Sequence, residues 1–532
     1  MKTNIILVTL LVCFFSSCES ILDQKPTDFI SPESFYSNET ELRSALNGVY
    51  SQLTESNCYG NNYLYLFNAN TDESYGYANL ELEPTYQYSS TTTKVNLFWN
   101  ACYIGIERAN MLLANINKAD IDGTKRNIIK GETLFLRSFF YFILVSNYGD
   151  VPLKIIPTAS VNDVNIARTP TKEVYNQILT DMVAADTLLK SQTATSLGYG
   201  GRISRTAVQG MLARVCLYMA GYPLNDKTKY IDALYWAKKV VDSKEHALNP
   251  EYKSVFMNYI TDKYDVKESI WELEFFRNND GLINKGGTYA GRFCGISTTN
   301  ADIGYSTGSI RVTKKLYDLY GINPQSTTTP NKDSYDLRRD WNCANYTWTS
   351  TGVKSANTNT WRMCAGKWRR EYEIVTPKST VYTPENFPML RYSDVLLMLA
   401  EAENEVHGAT DTAYNAINQV RRRAYGLLLS TPPNPAVNAD LPSGLSKEQF
   451  LKAIRDERSR EFCFEALRRS DLIRWGNFIG DMKDFLAYAQ ANGGTATNII
   501  TASTLITDRN LLLPIPSYDM SLNKLLTQNP GY

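Results

Sequence analysis

The chain carries long runs of helical periodicity that break off twice into aromatic-rich stretches, and any fold must accommodate both breaks. From Glu39 to Leu53, Leu42, Ala45, Leu46, Val49 and Leu53 recur three and four apart behind Asn38, a residue suited to the N-cap. The spacing predicts a second helix from Val95 to Ile116, with Phe98, Trp99, Tyr103, Ile106, Ala109, Leu112 and Leu113 on it. A third covers Lys125 to Asn147 and stops ahead of Gly149 and Pro152. Further helices are predicted at 171–190, 205–220, 229–243, 393–407, 410–425, 446–467 and 469–477. Consecutive helices on short loops form stacked hairpins, so the fold class is mainly α. No fixed-period repeat is visible in the residues.

The breaks are residues 57–93, rich in Tyr, Asn and Thr, and residues 277–388, rich in Gly, Asn, Thr, Tyr and Trp. Short strands are expected there, as at Ser269 to Phe276 just before the second break. Irregular segments of this length are functional or disordered, and the aromatic content argues against disorder. They are the predicted binding face.

Composition narrows the function. Lys plus Arg and Asp plus Glu are 55 each, so there is no basic excess for nucleic acid. Two histidines leave little for a metal site or a histidine base, and nothing calls for a cofactor. Of nine cysteines, none shows CxxC spacing; Cys102, Cys216 and Cys463 read as small buried hydrophobes. For Cys343 and Cys364 a disulfide and two free thiols both stay open. The 35 tyrosines suit half-exposed recognition surfaces, since each combines an apolar face with a polar tip.

The N-terminus sets an address. Met1-Lys2 precedes an apolar run from Ile5 to Phe15, too short to span a bilayer, and then Ser16-Ser17-Cys18. That is a signal peptide over residues 1–17 whose end resembles a bacterial lipobox. Cys18 would be the acylated first residue, and the following segment to about Ser37 a tether. The alternative is a plain signal peptide with an incidental cysteine.

Catalytic chemistry finds little support. Asp72-Glu73 is the best carboxylate pair in an aromatic loop, but adjacent residues point apart, and a retaining glycosidase needs converging carboxyls. GYGGRIS (198–204) lacks the GK[ST] ending of a phosphate loop, and Ser204 reads better as an N-cap. His407, before Gly408, sits in a helix-terminal setting. Sugars, by contrast, present C–H faces that stack on aromatic planes and hydroxyls that need polar edges. Tyr75, Tyr77, Tyr86, Tyr289, Trp348 and Trp361 are the expected stacking residues, with Asp72 and Arg292 as polar partners. Loop packing is the competing reading for each.

Five segments in order then carry a resemblance: WNACYIGIERANMLLANI (99–116), GETLFLRSFFYFILVSNYGDVPL (131–153), MLRYSDVLLMLAEAENE (389–405), ERSREFCFEALRRSDLIRWG (457–476) and LLLPIPSYDMSLNKLLTQNPGY (511–532). They closely resemble the signature segments of the SusD/RagB family, across essentially the whole mature chain. The resemblance implies a tetratricopeptide-like helical scaffold with an irregular face. It also implies a lipid-anchored outer-membrane protein, facing outward, that captures oligosaccharides, or in some members peptides. Such a protein is not an enzyme and acts as a lid over a TonB-dependent (SusC-like) transporter. A secreted glycoside hydrolase and a scaffold binding only protein are the remaining alternatives. The expected organisation is one domain over 18–532. Its parts are tether and first helix (18–56), aromatic loops (57–93), helical scaffold (94–250), irregular ligand face (251–390) and C-terminal scaffold (391–532). Within the motifs, Arg137 needs a buried partner, expected at Glu107 or Glu132, and Asp456–Arg460 and Glu465–Arg469 are expected helix ion pairs.

Overall fold

The computed structural model describes residues 35–77, 83–160, 163–276, 286–329 and 331–532, so Cys18 and the signal segment lie outside the described residues. The periodic segments fold as expected. The first block is α1 (Glu39–Thr54), α2 (Thr93–Asn115), α3 (Gly123–Tyr148), α4 (Thr171–Leu188), α5 (Arg205–Ala220) and α6 (Lys229–Asp242). Each packs mainly on its chain neighbour, giving a stack of helical hairpins. Local chemistry sets the ends. Asn38 accepts the Glu41 N–H at 3.0 Å, and Ser204 accepts that of Ala207 at 3.1 Å. Gly149, at φ +72°, closes α3 in a conformation that glycine adopts without a Cβ clash.

A helix absent from the sequence reading, α7 (Tyr252–Ile260), follows; the expected irregular region therefore begins with a helix. The second block is α8 (Tyr392–His407), α9 (Asp411–Ala424), α10 (Lys447–Phe462), α11 (Arg468–Arg474), α12 (Phe478–Ala491) and α13 (Thr497–Leu505). The last two are also additions to the expected set. Helix α8 packs directly on α6 and continues the stack. The expected helix 446–467 ends at Phe462 because Phe464 and Ala466 turn to positive φ. Asn68 holds that turn, donating to Phe464 O at 3.0 Å and accepting from Ala466 N at 2.6 Å.

Everything between the blocks is pinned at its base. Strand β2 (Ser269–Leu273) pairs antiparallel with β8 (Phe387–Arg391), from Ser269↔Arg391 to Leu273↔Phe387. Residues 274–386 are therefore one long excursion closed by a two-stranded neck. Trp271 in that neck lies fully buried, edge-on to Phe135 and Phe139 of α3.

Buried charge ties excursion to scaffold. Glu461 accepts from Arg338 at 2.9 Å, Arg391 at 2.8 Å and Arg423 at 2.5 Å; all four side chains are essentially without solvent contact. Glu465 takes Lys367 and Arg391, and Glu457 takes Arg338, Arg421 and Arg460. Burial pushes the Glu457 carboxyl up, but those arginines outweigh it and hold it down at about 2. The expected pairs are corrected accordingly. Arg460 binds Glu457, Asp456 binds Lys452, and Arg469 donates to Asn510 O at 2.6 Å instead of meeting Glu465. Arg137 is likewise paired with neither Glu107 nor Glu132. It grips Asp181 of α4 in bidentate fashion at 2.8 and 2.9 Å, because α4 lies against that face of α3. The described cysteines, Cys343 and Cys364 included, are buried free thiols. No described helix is long and apolar enough to cross a membrane.

Removing one partner of a buried charge cluster strands the others. Glu461→Gln should therefore cost about 3–5 kcal/mol in urea unfolding. A loss below about 1 kcal/mol would show the cluster to be dispensable for stability.

Candidate functional site

The two aromatic breaks meet in one sheet. Strand β1 (Ser74–Gly76) comes from the first break. The second contributes β3 (Ile310–Val312), β4 (Cys343–Ala344) and β7 (Cys364–Ala365), giving the order β1-β3-β7-β4. Tyr75 sits opposite Arg311 and Arg311 opposite Cys364. A hairpin of β5 (Tyr346–Trp348) and β6 (Lys354–Ala356) extends from β4 and is fastened back by Trp348 N donating to Ser297 O at 3.1 Å. Strands of two or three residues are too short to stand alone. Side chains supply the rest: Thr313 Oγ1 donates to Asp72 O at 2.7 Å and Ser74 Oγ to Asn68 O at 2.6 Å.

The eight sequence-derived ligand residues divide into two sets. Tyr75, Tyr86, Trp361 and Asp72 lie inside the packing. The Tyr75 hydroxyl donates to Trp361 O and that of Tyr86 to Asn70 O, while Trp361 Nε1 donates to Asn492 O at 2.9 Å. Burial raises the Tyr75 hydroxyl to about 12. Asp72 forms a bidentate pair with Arg468, both distances 2.8 Å, and touches Lys315 at 3.1 Å. Burial pushes its carboxyl up, but Arg468 and Lys315 outweigh this and hold it well below the usual range. These four brace the sheet in this structure and offer no open face.

The other four reach solvent. Tyr77 is 40% exposed just beyond β1, with the Arg311 guanidinium 4.5 Å from its ring centre. Tyr289, Arg292 and Trp348 are half-buried. Tyr289 meets Tyr382 edge-on at 5.1 Å, and Arg292 lies 5.4 Å from the Tyr289 ring and 5.5 Å from that of Tyr305. Trp348 meets Tyr346 edge-on at 5.7 Å, with the Lys354 ammonium over both at 5.1 and 4.4 Å. The turn bearing Tyr289 and Arg292 is seated tightly. A methyl group on Gly291 would come within 2.1 Å of the Glu385 carboxyl, which burial raises far above its ordinary range and Glu373 raises further.

Tyr305, Tyr346, Tyr382 and Lys354 were not among the expected residues. Tyr346 had a signal, since it stands two before Trp348 and the strand period puts both on one side. Tyr305 and Tyr382 had none, being brought in by tertiary pairing such as Thr298 with Ser306 and Thr288 with Thr383.

No group of three metal-ligating side chains converges among the described residues. Asp72 and Glu73 are divided by environment. Glu73 accepts from Ser459 at 3.1 Å, and burial raises it to about 8. Paired with Arg468 and closed in by packing, the two do not make an open acid–nucleophile couple. A cavity of about 810 Å³ lies elsewhere, between the end of α3, the starts of α4 and α11 and the C-terminal tail; Tyr175, Tyr218, Tyr222, Arg168 and Arg509 help line it. None of the eight residues borders it.

A sequence model of the SusD family matches residues 267–532. The chain belongs to the SusD family. A second model, described as starch-binding associating with outer membrane, matches residues 21–217. SusD-like protein P25 of Formosa agariphila is 26% identical, with 99% of each chain aligned. The starch-binding protein SusD of Bacteroides thetaiotaomicron is 25% identical over 76% of this chain and 72% of its own. The crystal structure of a SusD homolog from Bacteroides thetaiotaomicron superposes with a TM-score of 0.84 at 29% identity, covering 94% of this chain and 98% of that one.

Glu73 sets a pH dependence of stability. Its folded value, about 8, lies above its ordinary 4.5, so over that window the folded state keeps a proton the unfolded state has lost. Stability therefore falls as pH rises from about 5 to about 8. Glu272, raised to about 7 by burial, acts in the same sense, whereas Glu457 is charged throughout the window. Glu73→Gln should flatten the Tm–pH curve over that range in differential scanning calorimetry. An unchanged slope would rule Glu73 out as its source.

Proposed function

We propose that this chain is a surface-exposed outer-membrane lipoprotein that binds oligosaccharides or polysaccharides through the Tyr77–Tyr289–Trp348 face. It delivers them to a partner TonB-dependent (SusC-like) transporter and does no catalysis itself. The observation that carries the binding reading is that half-exposed aromatic rings from two distant segments stand on and around the braced sheet that joins those segments. Flat rings on a rigid base bind sugar C–H faces at low entropic cost. Serine, threonine and asparagine fill the loops between them, as at Ser297, Asn300, Thr307 and Ser309, and hydrogen-bond to sugar hydroxyls. Family membership supports the reading, as does the name of the starch-binding relative from Bacteroides thetaiotaomicron. An open face suits a polymer that enters and leaves along its length; the cavity near Tyr222 suits a small enclosed group.

One observation favours a peptide in place of a glycan. Strand β6 is exposed along its length and pairs only with β5, leaving an edge an extended peptide could join. An affinity screen of the mature chain against polysaccharides and peptides separates the two.

Trp348→Ala and Tyr77→Ala should each weaken glycan binding by about 10-fold, the size of a lost hot-spot contact, in isothermal titration. Tyr222→Ala in the cavity should leave it unchanged. The reverse pattern would move the site to the cavity.

The membrane part rests on Ser16-Ser17-Cys18 and the matched outer-membrane description. Cys18→Ala should release the protein from the membrane fraction with its thermal unfolding intact, since stable anchoring requires acyl chains. Retention in the membrane fraction would refute the lipid anchor.

A further inference from the structure

The cations of the aromatic face differ from the arginines of the buried charge clusters. Arg338, Arg391, Arg423, Arg458 and Arg474 are buried, and each is matched to a carboxylate. On the face, Arg292, Arg311 and Lys354 have no carboxylate partner among the described residues. Each lies against the ring or rings that form the face: Arg292 on Tyr289 and Tyr305, Arg311 on Tyr77, Lys354 on Tyr346 and Trp348. Arg292 Nε makes no hydrogen bond, and Arg311, itself largely buried beneath Tyr77, bonds Arg362 O and Cys364 Sγ among the described residues. Arg369, against Trp341 and Tyr346, bonds backbone carbonyls and the Tyr346 hydroxyl.

The acids nearby do not balance this charge. Glu373 is held by Arg370, and Asp340 by Arg339. Glu385, against Gly291, is buried, and burial and Glu373 drive its pKa well above the ordinary carboxylate range. Glu371 accepts the Tyr346 hydroxyl at 2.6 Å and makes no ion pair among the described residues. Backbone hydrogen bonds link the elements that carry the three cations. Tyr77 N donates to Ser309 O, Thr307 N to Arg292 O, and Trp348 N to Ser297 O.

We infer that the face selects polysaccharides bearing anionic groups, carboxylate or sulfate, along the chain. This rests on the glycan reading above and narrows it. A cation parked on an aromatic ring gains little in water. When a sugar ring takes the aromatic plane, the ammonium or guanidinium moves aside with no carboxylate already paired to it. A uronate or sulfate on the same or the next residue supplies the counter-charge. Stacking and charge pairing then act on one ligand, and water excluded by the stacked ring strengthens the ion pair. A neutral glycan obtains only the stacking and leaves the displaced cation unpaired.

The test compares polymers that differ only in charge. Dextran is set against dextran sulfate, and polygalacturonate against its methyl ester, by affinity electrophoresis and isothermal titration of the mature chain. The sulfate and carboxylate arms report which anion is preferred. At least one charged polymer should bind about 10-fold more tightly than its neutral counterpart, with the advantage shrinking as salt rises toward about 0.5 M. The double variant R292Q/K354Q should lose about 10-fold for the charged polymer and change little for a neutral one. K118Q, at an exposed lysine beyond the end of α2, should change neither. Circular dichroism and Tm verify that each variant is folded; R292K/K354R, which keeps the charges, should restore binding. Equal affinity for charged and neutral partners, or full retention in R292Q/K354Q, overturns the inference while leaving glycan binding standing. Binding to no glycan of either kind overturns the underlying reading as well.

Discussion

Glu461 is the point on which the structure turns. One carboxylate receives guanidinium groups from three places: Arg338 in the excursion, Arg391 in the neck and Arg423 in α9. Burying a carboxylate is costly unless charge and hydrogen bonds replace water, and each of these arginines carries the same requirement. The cluster is satisfied only when the excursion, the neck and the second helical block occupy their native positions together. Apolar contacts can slide; a set of fixed donor–acceptor directions cannot. The charge cluster thus acts as a registry device; Glu457, one turn earlier on α10, and Glu465, just past the end of that helix, extend it to Arg460 and Lys367.

That registry explains how a helical stack can carry a face made of loops. The stack runs from α1 to α6 and resumes at α8, so the residues between leave it and return to the same place. The β2–β8 pairing closes the departure, and Trp271 anchors the closure in the aromatic core of α3. Asn68 then binds the backbone at Phe464 and Ala466, fixing the first aromatic break to the turn between α10 and α11 of the second block. With both breaks located independently, β1 meets β3, and a sheet forms from strands that no local sequence would sustain.

The period-3.6 segments were readable from the sequence because one stripe of each helix is buried, and burial writes itself into spacing. The caps at Asn38 and Ser204 were readable for a similar reason, since their side chains serve neighbours two or three residues on. The failures share a cause. The motif reading pairs Glu465 with Arg469 and Arg137 with Glu107 or Glu132, whereas Arg137 binds Asp181, Glu465 binds Lys367 and Arg391, and Arg469 binds the Asn510 carbonyl, all brought in by tertiary packing. A charge in a helix names its need and not its partner. Helix α12, also missed, packs Phe478 and Phe485 on Tyr86 and Trp361, partners that tertiary packing brings in. The candidate face reads in the sequence as two segments, and their meeting in one sheet was not legible, because sequence holds no record of which loop meets which.

Tyrosine shows why residue type alone could not pick the site. Tyr75 and Tyr77 are two apart, and one is internal while the other is open. The difference lies in where the hydroxyl goes. Tyr75 spends it on the Trp361 carbonyl, which joins β1 to the turn before β7, and Tyr86 spends its own on Asn70. Such a tyrosine is a bolt: its ring fills space and its oxygen satisfies a buried backbone group that a phenylalanine would leave unpaired. Tyr77 has no such task, and a cation covers its ring instead. A rigid recognition surface requires both kinds, because a stacking plane is selective only if the plane does not move. The buried set supplies the stiffness, the open set the contact, and the unneutralised arginine and lysine beside the open rings decide which sugars meet that contact with a matching charge.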